Sequence, residues 1–145
     1  MAEQLNLLGW TSPQAELAFA EAAVRGCTLD ARISRAVSVA LQECGKSRAA
    51  VAREMSAFLA EDVSAAMLDA YASVARAAHR ISVSRLMALV HATGDRRLLQ
   101  LLAEPMGWAV IERRHLPLIE VAMIREHEDE LRRKREALMR RARGN

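Results

Sequence analysis

The chain has 145 residues, with 21 Lys and Arg against 18 Asp and Glu, a formal charge of +3, and 52% of its residues are hydrophobic. That length suits one domain with an extension, and that balance of apolar and charged residues excludes disorder throughout. Alanine occurs 28 times against six glycines and three prolines, and the aromatics are limited to Trp10, Phe19, Phe58, Tyr71 and Trp108. An antiparallel sandwich needs frequent turns and β-branched or aromatic strands, so the composition leaves an all-α protein.

Residues 1–29 read as a leader. Ser12-Pro13 has the form of a helix start, with Leu17, Phe19, Ala20 and Val24 as an apolar face before Gly26. Five short helical segments follow, each with a capping residue ahead of an i, i+3, i+4 apolar pattern. Asp30 precedes Ile33, Val37, Ala40 and Leu41, ending at Gly45; Ser47 precedes Val51, Ala52, Met55, Phe58 and Leu59. Ser64 precedes Met67, Leu68, Tyr71 and Val74, in a helix expected over 64–78. Ser82 precedes Leu86, Met87, Leu89 and Val90, ending at Thr93-Gly94; Asp95 precedes Leu98, Leu99, Leu101 and Leu102, ending before Pro105. Helices this short gain their stability from packing apolar faces together, so 30–112 is expected to be a compact five-helix bundle. Trp108, Val110 and Ile111 read as its last packing segment.

His115-Leu-Pro117 then breaks the pattern, and a long charged helix is expected from about Leu118 to Arg141, within a third segment, 113–145. Residues 125–143 carry eight Lys and Arg and five Asp and Glu, whereas residues 1–124 carry 13 of each sign. The whole basic excess therefore lies in the tail. Many of its charges fall at i, i+4: Glu128–Arg132, Asp129–Arg133, Glu130–Lys134 and Glu136–Arg140. Ile124, Leu131 and Leu138 recur every seven residues and are the candidate dimerisation positions, but polar residues occupy the complementary positions of the repeat. A denser patch, Leu118, Ile119, Val121, Ala122 and Ile124, fits either self-association or packing back on the bundle.

The signals for chemistry are sparse. His79, His91, His115 and His127 lack metal-ligand spacing with one another or with Cys27 and Cys44, and neither a GxGxxG nor a P-loop is present. His91 reads as a packed imidazole. No cofactor, metal, small-molecule substrate or membrane is expected, and an enzyme is the least favoured class. The first residues have neither the basic segment nor the apolar run of a signal peptide, so the expectation is a cytoplasmic protein with two reduced thiols.

One stretch carries a functional expectation. Ser47-Arg-Ala-Ala-Val51-Ala52-Arg-Glu-Met55-Ser56 resembles the first helix of a helix-turn-helix, with small Ala52 where the second helix crosses. Val63-Ser64 resembles the turn and cap of the second helix, with Leu68 and Tyr71 inward. In the compact motif Ser56 and Val63 would be adjacent, whereas here Ala57 to Asp62 separate them, as an added helical turn or a loop. The run Ile81-Ser-Val-Ser-Arg-Leu-Met-Ala-Leu-Val-His-Ala-Thr-Gly-Asp95, followed by Arg96-Arg-Leu-Leu, extends the likeness. From Asp30 to about Glu112 the chain resembles lambda-repressor-like five-helix DNA-binding domains, and is similar to small regulators of temperate and transposable bacteriophages. The resemblance implies sequence-specific binding to double-stranded DNA. Its candidate contacts are Arg48, Arg53, Ser64, Asp69, Ser73, Arg76 and Arg80; the outer face of the 64–78 helix holds Ala65, Ala66, Asp69, Ala70, Ser73 and Arg76, and Arg48, Arg53, Arg85, Arg96 and Arg97 supply phosphate contacts if they cluster on one face. The contrasting expectation is a helical protein–protein adaptor, such as an antirepressor. A positive face around 64–80 points to DNA, and a neutral alanine-rich one to a protein partner.

Overall fold

The structure is a computed structural model, and it describes residues 17–76 and 78–144. It is all-α: among the described residues there is no strand. The chain divides between Val110 and Ile111 into two compact units.

Among the described residues the first unit opens with a single helical turn, α1 (Glu21–Val24). Val24 is buried in the core and Phe19 packs against it, while the expected start at Ser12-Pro13 lies outside the described residues. Five helices follow: α2 (Leu29–Glu43), α3 (Arg48–Leu59), α4 (Ala65–Tyr71), α5 (Val83–Thr93) and α6 (Arg97–Ala103). The expected caps at Ser47, Ser64 and Ser82 accept backbone N–H bonds from Ala50, Met67 and Arg85. At α2 the cap is Thr28 rather than Asp30. The Thr28 hydroxyl accepts from Ala31 N, and Asp30 stands in the first turn, where an acidic side chain meets the positive end of the helix. At α6 the N-cap is Arg96, with no side-chain cap bond, and Asp95 instead accepts from Arg97 N at 3.1 Å from one residue ahead of it. Gly94 ends α5 at φ 72°, a left-handed conformation that costs glycine little.

The core gathers Val37, Leu41, Val51, Met55, Leu68, Leu86, Leu89, Leu98 and Leu101 from all five helices. Ala36, Ala52, Ala88 and Ala92 are also buried, and their small side chains let neighbouring elements approach closely. Ala52 is 4% exposed, between the buried Val51 and Met55. Gln100 is buried too, and its polar ends are satisfied by the segment that follows α6. Its Oε1 accepts from Val110 N at 2.7 Å, and its Nε2 donates to Trp108 O at 3.4 Å.

Several expected core positions lie at the surface. Phe58 is 50% exposed and stacks on His91 at 4.6 Å between ring centroids, so His91 is a surface partner rather than a packed imidazole. Val74 and Met87 are exposed, and Trp108 is 64% exposed. Trp108 is anchored through its carbonyl rather than its ring. Cys27 and Cys44 are free thiols.

The second unit is a 3-10 turn at Arg113–His115 followed by one long helix, α7 (Leu116–Arg143). Pro117 sits in the first turn of α7, where a missing N–H costs nothing, so it opens the helix instead of interrupting it.

Ala52 is buried among core neighbours, so a larger side chain there must displace them. We expect Ala52→Leu to overpack this site and to destabilise the protein by about 1–3 kcal/mol, read by urea denaturation. An unchanged midpoint and slope would mean that Ala52 does not limit the packing.

Candidate nucleic-acid interface

The unit formed by α3 and α4 departs from a compact helix-turn-helix in length, and the structure takes up the extra residues in two ways. Helix α3 continues through Ala57, Phe58 and Leu59, adding nearly one turn, and Ala60 to Val63 then form the connection. Ala60 closes α3 in the left-handed region at φ 54°. A side chain there costs of order 1 kcal/mol, because its Cβ crowds the backbone.

The excursion returns to its starting point. The Ser56 hydroxyl accepts from Val63 N at 2.9 Å and donates to Ala52 O at 2.8 Å. The two residues that the compact motif would make neighbours are thus joined by a hydrogen bond across six intervening ones. Val63 is buried beside this bond, and Ser64 caps α4 immediately afterwards. Leu68 and Tyr71 face the core, as their spacing after Ser64 requires.

Helix α4 stops at Tyr71, short of the expected 64–78. A turn replaces the missing length: Ser73 N is bonded to Ala70 O, and Arg76 N to Ser73 O. Ser73, Arg76 and Arg80 therefore lie beyond the helix rather than along its face. Ala70 is buried, while Ser64, Ala66 and Asp69 remain exposed on α4. The cause is local. Residues 72–78 contain four alanines but also Ser73 and the β-branched Val74, and Val74 finds no core to cover it.

Most of the candidate cations are held in pairs. Arg48, on α3, reaches two other helices, donating from Nη1 to Leu41 O at 2.8 Å and from Nε to Asp69 Oδ1 at 3.2 Å. Two proposed base contacts, Arg48 and Asp69, thus meet each other. Arg80 Nε pairs with Asp30 Oδ2 at 3.0 Å. Arg85 donates to Glu61 Oε1 at 3.0 Å and to the Tyr71 hydroxyl, tying α5 to the connection and to α4. These hydrogen bonds, the one to Glu61 foremost, hold the Arg85 guanidinium above its ordinary pKa. Arg97 pairs with Asp95 and Glu43 and lies 4.3 Å over the Phe19 ring. Its hydrogen bonds, led by that to Asp95, likewise raise its pKa against the cost of burial. Arg53 and Arg76 are exposed and form no ion pair among the described residues.

The sequence did not single out Ser56 or Glu61 as partners, nor Lys46. Lys46 Nζ bonds both Glu54 carboxylate oxygens and Ala92 O at 2.7 Å, linking the α2–α3 connection to α3 and α5. A Ser eight residues before a capping Ser gives no local pattern from which such a closure is read.

Among the described residues no group of His, Cys, Asp or Glu is placed to hold a metal ion, and no helix is long and apolar enough to cross a membrane. Comparison with protein-family models, with curated proteins and with solved structures returns no match.

Two substitutions at the α3–α4 connection should act with opposite sign. Ser56→Ala leaves the part-buried Val63 N–H unsatisfied and is expected to cost about 1–3 kcal/mol. Ala60→Gly relieves the left-handed strain and is expected to gain up to about 1 kcal/mol. Thermal unfolding of the two variants checks both, and a neutral Ser56→Ala would show that the bond contributes nothing.

Proposed function

We propose that this protein is a sequence-specific DNA-binding regulator of phage or prophage type, with α3 and α4 as its recognition unit. The observation that carries the reading is the closure of Ser56 on Val63, which fixes α4 against α3 through buried Ala52, Val63 and Leu68. Docking of this kind requires a second helix held at a constant angle with an outer face of small and polar side chains. Ser64, Ala66 and Asp69 supply that face, and small alanines permit close approach to base edges.

The charge on this face sets how it would bind. Arg48 is offset by Asp69 and Arg80 by Asp30, leaving Arg53 and Arg76 as the cations available for phosphate or base. Phosphate neutralisation supplies most non-specific affinity, so two free arginines imply weak binding to arbitrary DNA and a shallow dependence on salt. Asp69 is placed to accept from cytosine N4 if Arg48 releases it.

A second reading draws on the same pairings. With Arg48 and Arg80 offset, the face around 64–80 is alanine-rich and close to neutral, which suits an adaptor that binds another protein.

Selection from a pool of random duplexes with the full chain separates the two. On the first reading a defined site is enriched, and Arg76→Ala weakens binding to it by about 1–3 kcal/mol, measured by mobility shift. Arg53→Ala should weaken binding to all duplexes alike and lower the salt slope by about one. A folded protein that enriches no site overturns the first reading in favour of the adaptor.

A further inference from the structure

Helix α7 runs for 28 residues with none of them buried. Ile124, Leu131 and Leu138, spaced by seven, are each more than half exposed. Isolated helices draw little stability from propensity alone, and a row of exposed Leu and Ile along one is an unfilled contact.

The charges on either side of Leu131 say what fills it. Residues 126–130, Glu-His-Glu-Asp-Glu, hold four carboxylates in five positions. Residues 132–136, Arg-Arg-Lys-Arg-Glu, hold four cations in five positions. Leu131 is the point of inversion. The helix dipole does not account for this order, because its influence is confined to the first and last turns and the blocks adjoin at mid-helix. Pairing within the helix accounts for little of it: among the described residues of α7 one such ion pair is formed, Arg132 with Asp129 at 2.6 Å.

We propose that α7 is a homodimerisation element in which two copies pair antiparallel, centred on Leu131. In that alignment Leu131 meets its counterpart, and Ile124 lies level with Leu138 of the second copy, at both ends. The acidic block 126–130 of each copy lies level with the basic block 132–136 of the other. Polar Glu128, which in a parallel pair meets a second Glu128, lies level with Lys134 when one helix is reversed. A parallel pair would place four carboxylates beside four carboxylates. At about 1.5 Å per residue, α7 is about 42 Å long, ample for a two-helix contact.

The test uses the full chain in a Cys27→Ser, Cys44→Ser background. Sedimentation equilibrium should give a dimer whose dissociation constant rises with salt, since the matched blocks are screened. Leu131→Asp sets two carboxylates against each other at the centre and should raise that constant at least about tenfold. Cooperative thermal unfolding of the variant checks that the first unit stays folded. Under oxidation, Ile124→Cys mixed with Leu138→Cys should cross-link, and neither should cross-link with itself. A monomer at tens of micromolar protein, a Leu131→Asp protein that dimerises as before, or self-cross-linking of Ile124→Cys alone would each overturn the antiparallel pair.

Discussion

A single serine hydroxyl closes the α3–α4 connection. Ser56 sits on the last full turn of α3, accepts the Val63 N–H and returns its own proton to Ala52 O. Without it, the six residues from Ala57 to Asp62 would form an insertion free to vary the angle between the two helices. With it, the insertion is a closed excursion whose ends are one hydrogen bond apart. The extra helical turn and the left-handed Ala60 are what that closure costs, and the burial of Val63, Leu68 and Tyr71 offsets it. The placement of the α4 outer face depends on this junction.

The arginines of the first unit act mainly as struts. Arg48 joins the end of α2 to α3 and α4, Arg85 joins α5 to the connection and α4, and Arg97 joins α6 to Glu43 of α2. Exposed ion pairs contribute little singly. Here each guanidinium also uses a hydrogen bond to a backbone carbonyl, a phenol or a second carboxylate, so its geometry is specified from two sides. A cation so used is a poor phosphate donor, which is why a chain with pI near 9.4 presents so little free positive charge around α4. The basic excess is in α7, beside an equally dense acidic block.

The helices themselves were legible in the sequence because their signals are local. Ser47, Ser64 and Ser82 each stand one residue ahead of an apolar period, and each caps a helix. The buried alanine at 52 and the stop at Thr93-Gly94 are legible for the same reason. Where two signals competed, the periodicity misled. Asp30 and Thr28 are both capping residues, and the one whose hydroxyl reaches Ala31 N prevails. The apolar spacing of Val74 after Tyr71 implied a longer α4, but α4 has no neighbour there to bury it. Among the candidate site residues, Arg48 and Asp69 carry no local sign in the sequence that they pair. Partners 21 residues apart are set by tertiary packing, and neither helix pattern encodes them. The Ser56–Val63 closure was invisible for a similar reason: its two ends are separated by a helix end and a bend.

The proposed DNA-binding role depends on α3 and α4 behaving as one rigid unit that presents its outer face to DNA. Residue-resolved amide exchange on the full chain, free and with a duplex enriched by selection, tests it most directly. The Val63 amide is expected to exchange as slowly as those of the buried core in both states, with DNA adding protection at 64–69 and at Arg76. A Val63 amide that exchanges as fast as its neighbours Glu61 and Asp62, or protection gained only elsewhere on the chain, would contradict it.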